Sequence, residues 1–184
     1  KMVKSFKIIL KQGLMLGRKF IRNKFSSAEN QGFSSRNKLK CFGDYDKHTF
    51  FGYYDLSPFN HSLDKLLACR IPRKAPSDQN IIMDVGFYNI NNSKKFIKVG
   101  ETHAWSWQQT CRLQWFSNSE SNHSSVIYNS LIENKYNAIL KNIESKKVLK
   151  TYDLPIYCLS PNYDFALSLD FSRLELLRPG YGYT

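Results

Sequence analysis

After residue 40 the chain alternates short apolar, aromatic-rich runs with turns rich in Asn, Ser, Asp and Pro. Such runs are typical of β-strands, and the residues between them are typical of turns. No stretch in this part of the chain shows the three- and four-residue apolar period of a helix. The pattern predicts strands at residues 49–54, 65–71, 81–90, 95–101, 112–116, 124–129, 136–143, 147–152, 156–159 and 165–171.

Pieces of this pattern repeat, which favours a repeat fold. A turn or aromatic segment followed by an apolar strand starts at residues 57, 114 and 160, so the starts lie 57 and 46 residues apart. A propeller blade contains four strands in about 40–50 residues. We therefore predict an all-β fold, a β-propeller present as an incomplete set of about three blades at residues 41–184.

The first 25 residues have a different pattern. Phe6, Ile9, Leu10 and Leu14 recur at three- and four-residue steps among eight Lys and Arg and no acid, which predicts a basic amphipathic helix. Such a helix suits an anionic membrane surface. Packing against the rest of the protein or a partner, and a mitochondrial transit peptide, remain alternatives. Residues 26–40 are polar and predict a linker.

The net charge of +12 is unevenly distributed. Residues 1–40 hold 11 of the 27 Lys and Arg and one of the 15 acids, which leaves 16 bases against 14 acids in the remainder. A body so close to neutral argues against nucleic acid as a partner, since phosphate binding needs a basic face.

The four cysteines, Cys41, Cys69, Cys111 and Cys158, contain no CxxC pair. We expect mostly buried, reduced thiols, with a single disulfide as the alternative, and no metal site. Nucleotide-binding and hydrolase motifs such as GxGxxG, the P-loop and GxSxG are absent from the sequence, so it lends no support to those mechanisms.

The first candidate site lies in the run from His48 to Asp55. His48 with Tyr54 and Asp55 could transfer a proton or hold a sugar. The alternative is that Tyr54 and Asp55 satisfy backbone groups at the turn into Ser57-Pro58.

The second candidate site is the densest cluster of recognition residues: Trp105, Trp107, Gln108, Gln109 and Arg112. Indoles stack on sugar faces, while amides and a guanidinium make directional hydrogen bonds. In an extended run, Trp105, Trp107 and Gln109 would share one face and Gln108 would take the other. The alternative is that the tryptophans belong to the core.

The third candidate site contains Asp170, Arg173, Arg178, Tyr181 and Tyr183. The two arginines could bind a uronate or phosphate as bidentate forks, and internal pairing of Asp with Arg is the alternative. The turn at residues 179–182 contains two glycines that would allow a ligand close to the backbone.

Three motifs, in order, resemble a family of bacterial β-propeller proteins. They are HTFFGYYDLSP at residues 48–58, WSWQQTCRLQW at 105–115 and LSLDFSRLELLRPGYGY at 167–183. Residues 159–168 also resemble the S-P-D-G repeat of TolB-like and WD-type propellers, with Asn162-Tyr163 in place of Asp-Gly. This family is often associated with surface-polysaccharide genes and is related to the oligogalacturonate lyase propellers.

The resemblance covers residues 44–184 and implies the N-terminal portion of a six- or seven-bladed propeller. Together with the Trp/Gln/Arg cluster and the basic N-terminal segment, the resemblance leads us to expect an acidic glycan as partner and a cytoplasmic location, peripheral to the inner face of a bacterial membrane. Alternatives are a metal-dependent polysaccharide lyase, with its divalent-metal ligands beyond residue 184, and a scaffold for protein partners.

Overall fold

The computed structural model describes residues 40–73, 81–92, 95–117 and 125–184. The chain divides into two compact units, Lys1–Cys41 and Phe42–Thr184. Of the first unit only Lys40 and Cys41 are described, so the predicted amphipathic helix at 1–25 and nearly all of the linker lie outside the described residues. No described helix is long and apolar enough to cross a membrane.

The second unit begins with a four-stranded antiparallel sheet whose strands are neighbours in sequence order. The register between the third and fourth strands shifts at Val85 and Gly86, which pair with Gly100 and Lys98 and leave Val99 as the extra residue of a β-bulge in the fourth strand. The sheet contains β1 (Lys47–Phe50), β2 (Lys65–Pro72), β3 (Met83–Asn89) and β4 (Phe96–Thr102).

A second antiparallel sheet follows with the same sequential order. Tight turns join β6 to β7 and β7 to β8, and Glu133 and Asn134 adopt the positive φ values that the first turn requires. The strands are β5 (Gln114–Phe116), β6 (Ser125–Ile132), β7 (Lys135–Asn142) and β8 (Val148–Tyr152).

The last part of the chain contains a two-stranded antiparallel sheet and one helix. The strands are β9 (Cys158–Leu159) and β10 (Ala166–Leu167), and the helix is α1 (Phe171–Leu177). The prediction that no helix follows residue 40 is therefore wrong, and the predicted strand at 165–171 ends at Leu167. The carboxylate of Asp170 caps the helix by accepting a hydrogen bond from the Arg173 N–H at 3.0 Å.

The main hydrophobic core joins the two four-stranded sheets. Side chains of both sheets and of the connection between β4 and β5 form one buried cluster, which includes Leu67, Cys69, Met83, Val85, Cys111, Leu113, Val126 and Tyr128. A smaller cluster packs Phe171 of α1 and Tyr183 against Ala104. These contacts fix the connections between the sheets to the core. The candidate residues lie on these connections.

The all-β prediction is confirmed at the level of antiparallel sheets. All the predicted strands before residue 160 appear, with ends shifted by a few residues or, at 49–54, a shorter span. The four cysteines are free: Cys69 and Cys111 are buried, Cys158 is half-buried and Cys41 is exposed.

Candidate functional site

The three candidate sites lie far apart in the chain but meet at the connections between the sheets. Phe50 stacks on Trp107 with ring centroids 5.4 Å apart, and the Asp55 carboxylate pairs with the Arg112 guanidinium. The ring of Tyr53 contacts that of Tyr181 at 6.3 Å. Residues 48–55 therefore run alongside residues 105–112 and also reach the third group.

Four aromatic rings form a surface that we call the aromatic face: His48, Phe50, Trp105 and Trp107. The Trp107 ring lies 5.9 Å from His48 and 5.4 Å from Trp105, edge to face in both cases. Trp107 is 59% exposed. Trp105 is half-buried, and its indole N–H donates to the Ile81 carbonyl at 2.7 Å. Trp107 is therefore the tryptophan that offers a ring surface to solvent, while Trp105 supports it.

The loop from Ser106 to Arg112 is a tight turn and not an extended run. The backbone N–H groups of Ser106 and Thr110 each donate to the other residue's carbonyl, at 3.2 and 2.9 Å. As a result Gln109 is buried, whereas Trp107 and Gln108 are exposed. The arrangement expected for an extended run, with Gln109 beside the two tryptophans, is not formed because the turn breaks the alternation of side chains.

Two residues of this turn adopt a backbone conformation that L-residues rarely occupy. Thr110 has φ of +52° and Arg112 has φ of +54°, and such values are especially unfavourable for a β-branched residue like Thr. The buried Gln109 Oε1 and Thr110 Oγ1 have no hydrogen-bond partner among the described residues. Local strain of this kind persists only where the surrounding structure imposes it, and the contacts of Arg112 supply that constraint.

Arg112 is the centre of a cluster that we call the arginine cluster, formed with Asp55 and Tyr157. The Arg112 side chain is fully buried. Its Nη1 and Nη2 donate to the two Asp55 oxygens at 3.1 and 2.8 Å, and its Nε donates to the Tyr157 carbonyl at 2.7 Å. Its guanidinium also lies 3.9 Å from the centre of the Tyr157 ring. Arg112 therefore binds other residues of the protein, and these contacts position the loop that carries Trp107.

Arg112 changes the protonation equilibrium of its partner Asp55. Hydrogen bonds from Arg112 lower the pKa of the Asp55 carboxyl and outweigh the opposing effect of its partial burial. Asp55 is therefore ionised at neutral pH. Among the described residues no hydrogen bond or ion pair joins His48 to Tyr54 or Asp55, so the structure places these three residues in different contacts.

A group of tyrosines and one arginine joins the first and third candidate sites, with Tyr54 and Arg178 exposed and Tyr53 and Tyr181 half-buried. Tyr54 is 87% exposed and packs on Tyr53, with ring centroids 4.3 Å apart. The Arg178 guanidinium lies 4.0 Å from the centre of the Tyr181 ring. Neither Arg178 nor Arg173 forms an ion pair within the described part of the chain. We call Tyr53, Tyr54, Arg178 and Tyr181 the tyrosine–arginine surface.

The turn after α1 is held by the protein itself. The Glu175 carboxylate accepts hydrogen bonds from the N–H groups of Gly180 and Gly182 at 2.9 and 3.0 Å. A Cβ at Gly182 would lie 2.1 Å from the Phe171 carbonyl oxygen, so this glycine is required for close packing on α1. Asp170 caps the same helix, and the two acids of this segment serve its local structure.

Asn129 is a structural residue that the sequence pattern did not single out. Its amide accepts from the Ile156 N–H at 2.7 Å, donates to the Ile156 carbonyl at 2.9 Å and donates to the Tyr183 hydroxyl at 2.9 Å. Its backbone N–H donates to the Cys111 carbonyl at 2.8 Å. The one sequence signal for its role is an amide side chain within the mostly apolar strand β6.

Comparisons of the chain with protein-family models, curated proteins and solved structures found no match. Within the described residues no three His, Cys, Asp or Glu side chains are grouped so that they could hold a metal ion.

Proposed function

We propose that the protein binds an acidic oligosaccharide on the aromatic face and the adjoining tyrosine–arginine surface. The observation that carries the proposal is Trp107, whose indole is 59% exposed although three aromatic neighbours hold it in place. A fixed, exposed indole provides apolar contact area at a low cost in side-chain entropy, which suits stacking on a sugar ring.

The acidic character of the proposed ligand rests on Arg178. Its guanidinium is oriented by the Tyr181 ring, and it has no carboxylate partner among the described residues. A planar guanidinium in this state can bind a uronate carboxylate through two parallel hydrogen bonds. Arg173, which is also exposed and unpaired in the described chain, adds positive charge to the same segment.

The two surfaces are connected by one short stretch of chain. Phe50 contacts Trp107, and Tyr53 contacts Tyr181. Phe50 and Tyr53 are three positions apart in the chain. Their Cα atoms can therefore lie no more than roughly 10 Å apart. One oligosaccharide could therefore contact both surfaces.

Replacing Trp107 by Ala is expected to weaken binding of a short oligogalacturonate about tenfold, because stacking worth ~1.4 kcal/mol would be lost. Isothermal titration calorimetry on the complete 184-residue chain measures this directly. Phe165→Ala is the matched control, since Phe165 is 76% exposed but lies outside the aromatic face. Arg178→Gln should reduce the preference for the uronate over a neutral oligosaccharide of equal length.

Two results would contradict this proposal. One is the absence of saturable binding by the unaltered chain to any acidic oligosaccharide tested. The other is an equal loss of affinity in the Trp107 and Phe165 variants, which would move the ligand away from the aromatic face.

We further propose that the two four-stranded sheets are successive blades of a β-propeller. The supporting observation is the repeated sequential order, β1 to β4 and then β5 to β8, followed by the start of a third sheet at β9 and β10. A crystal structure of the chain is expected to place the sheets around a common axis. Two sheets stacked face to face as a sandwich would contradict the proposal.

A further inference from the structure

A second possible binding site lies between the two four-stranded sheets, in a pocket of about 520 Å³. One wall is β4 and the other contains residues of β6, β7 and β8 together with the turn that joins the last two. This volume is within the range of small-molecule sites. None of the residues that line it belongs to the aromatic face or the tyrosine–arginine surface.

The charges that line the pocket are mostly positive. Three lysines, Lys98, Lys141 and Lys146, face one carboxylate, that of Glu101. Lys98 already pairs with Glu101 at 2.7 Å and with Asp84 at 2.6 Å. Lys141 and Lys146 form no ion pair among the described residues. The structure therefore shows no negative partner for these two ammonium groups among the residues that it describes.

A phenol adds a neutral hydrogen-bond donor to these two cations. Tyr128 lines the pocket and is 2% exposed. Burial, together with Cys111 and Glu101, raises its pKa to about 12. Its hydroxyl is therefore protonated at neutral pH and can donate a hydrogen bond.

Gly100 brings the phenol and one ammonium group to the same spot. A Cβ at this position would lie 2.3 Å from the Tyr128 Oη and 3.5 Å from the Lys141 Nζ. A side chain here would overlap the Tyr128 hydroxyl and touch the Lys141 ammonium group. The absence of a side chain at residue 100 therefore lets the Tyr128 hydroxyl pack directly on the backbone of β4, on the wall of the pocket that also borders Lys141.

We propose that this pocket binds a phosphate group, with Lys141, Lys146 and Tyr128 as its donors. Lysine ammonium groups have donors and no acceptor, so two of them beside a phenol O–H form a set that a multivalent oxyanion can satisfy. The Glu101 carboxylate is held by Lys98, which limits its repulsion of the anion. This site is separate from the proposed oligosaccharide surface.

The test is a titration of the complete chain with inorganic phosphate, at constant ionic strength adjusted with chloride, followed by calorimetry. We expect saturable binding of one phosphate. Lys141→Gln is expected to weaken it about tenfold, the effect of losing one charge-assisted hydrogen bond, and Lys146→Gln should act in the same direction. Lys135→Gln is the matched control, because this exposed lysine is also on β7 but does not line the pocket.

Further variants and probes make the assignment specific. Tyr128→Phe should weaken binding without changing the net charge, and circular dichroism would verify its fold. Glucose 1-phosphate is the second probe: tighter binding than inorganic phosphate would assign the pocket to the phosphate group of a larger ligand, and equal binding would assign it to the free ion. Neither Gln variant should alter oligogalacturonate binding.

The inference is overturned if phosphate shows no saturable binding at millimolar concentration. It is also overturned if the Lys135 control loses as much affinity as Lys141→Gln, since the effect would then be one of overall charge. Trp107→Ala separates this inference from the proposed function, because it is expected to leave phosphate binding unchanged.

Discussion

Replacing Arg112 by Met is expected to lower the free energy of unfolding by about 3 kcal/mol. The substitution removes both Arg112 hydrogen bonds to the Asp55 carboxylate and the shorter of the two hydrogen bonds to the Tyr157 carbonyl, which keeps the one from Gln114. Breaking a buried ion pair from one side costs about 3–5 kcal/mol. We expect the lower value because the Asp55 side chain is 29% exposed and water can partly hydrate it. Chemical denaturation followed by circular dichroism measures the change.

Controls for this prediction separate the ion pair from the loss of a long side chain. Arg178→Met changes an exposed arginine in the same way, and it should alter stability by no more than about 0.5 kcal/mol. Asp55→Asn combined with Arg112→Met should be less destabilising than the sum of the two single changes. If the double variant shows simple additivity, the pair contributes no coupling and the prediction is wrong.

The pH dependence provides a second measurement of the same pair. Because the folded-state pKa of Asp55 lies below its unfolded value, the stability from its ionised form is present above the ordinary aspartate pKa. It is lost as the pH falls through the lowered pKa of the folded protein. The difference in unfolding free energy between the unaltered chain and Arg112→Met should therefore be constant near neutral pH and shrink in acid.

Replacing Asn129 by Ala is expected to lower the free energy of unfolding by about 3 kcal/mol or more. The change removes the partners of the Ile156 N–H, the Ile156 carbonyl and the Tyr183 hydroxyl, and each buried group left unpaired costs about 1–3 kcal/mol. Asn129 itself is fully buried, so water cannot replace the amide without entering the core. The same denaturation measurement applies.

Ser130→Ala is the matched control for Asn129, since Ser130 is the next residue of β6 and is also buried. It should change stability by less than about 1 kcal/mol, because no described hydrogen bond joins its side chain to residue 156 or 183. Equal effects of the two substitutions would show that the strand tolerates no change at all, and would remove Asn129 from its proposed role in linking β6 to residues 156 and 183.

Arg112 and Asn129 support the candidate site from within the protein. Arg112 and Asn129 bind other parts of the protein, and through Asp55, Tyr157 and Ile156 they fix the connections that carry the exposed rings. Loss of oligosaccharide binding in their variants would therefore reflect lost structure. Trp107→Ala, at an exposed position, is the substitution that tests ligand contact.

The sequence by itself determined the β-strands and their turns, because both depend on residues close together in the chain. Alternation of apolar and polar residues requires no knowledge of the partner strand, and the strands from β2 to β8 lie close to their predicted positions. The helix Phe171–Leu177 was missed because it is short, and because its stability comes from the Asp170 cap and from the stacking of Phe171 on Tyr183 at 4.2 Å.

Only the tertiary structure decided the roles of the candidate residues. Asp55 and Arg112 are 57 positions apart, and no local pattern indicates that their charges satisfy each other. The sequence does not distinguish Trp105 from Trp107. In the structure, a hydrogen bond to Ile81 anchors Trp105, whereas the tight turn at Ser106–Thr110 leaves Trp107 exposed. The amino-acid sequence specifies which side chains are present. Contacts between residues far apart in the chain determine which of these side chains remain available to a ligand.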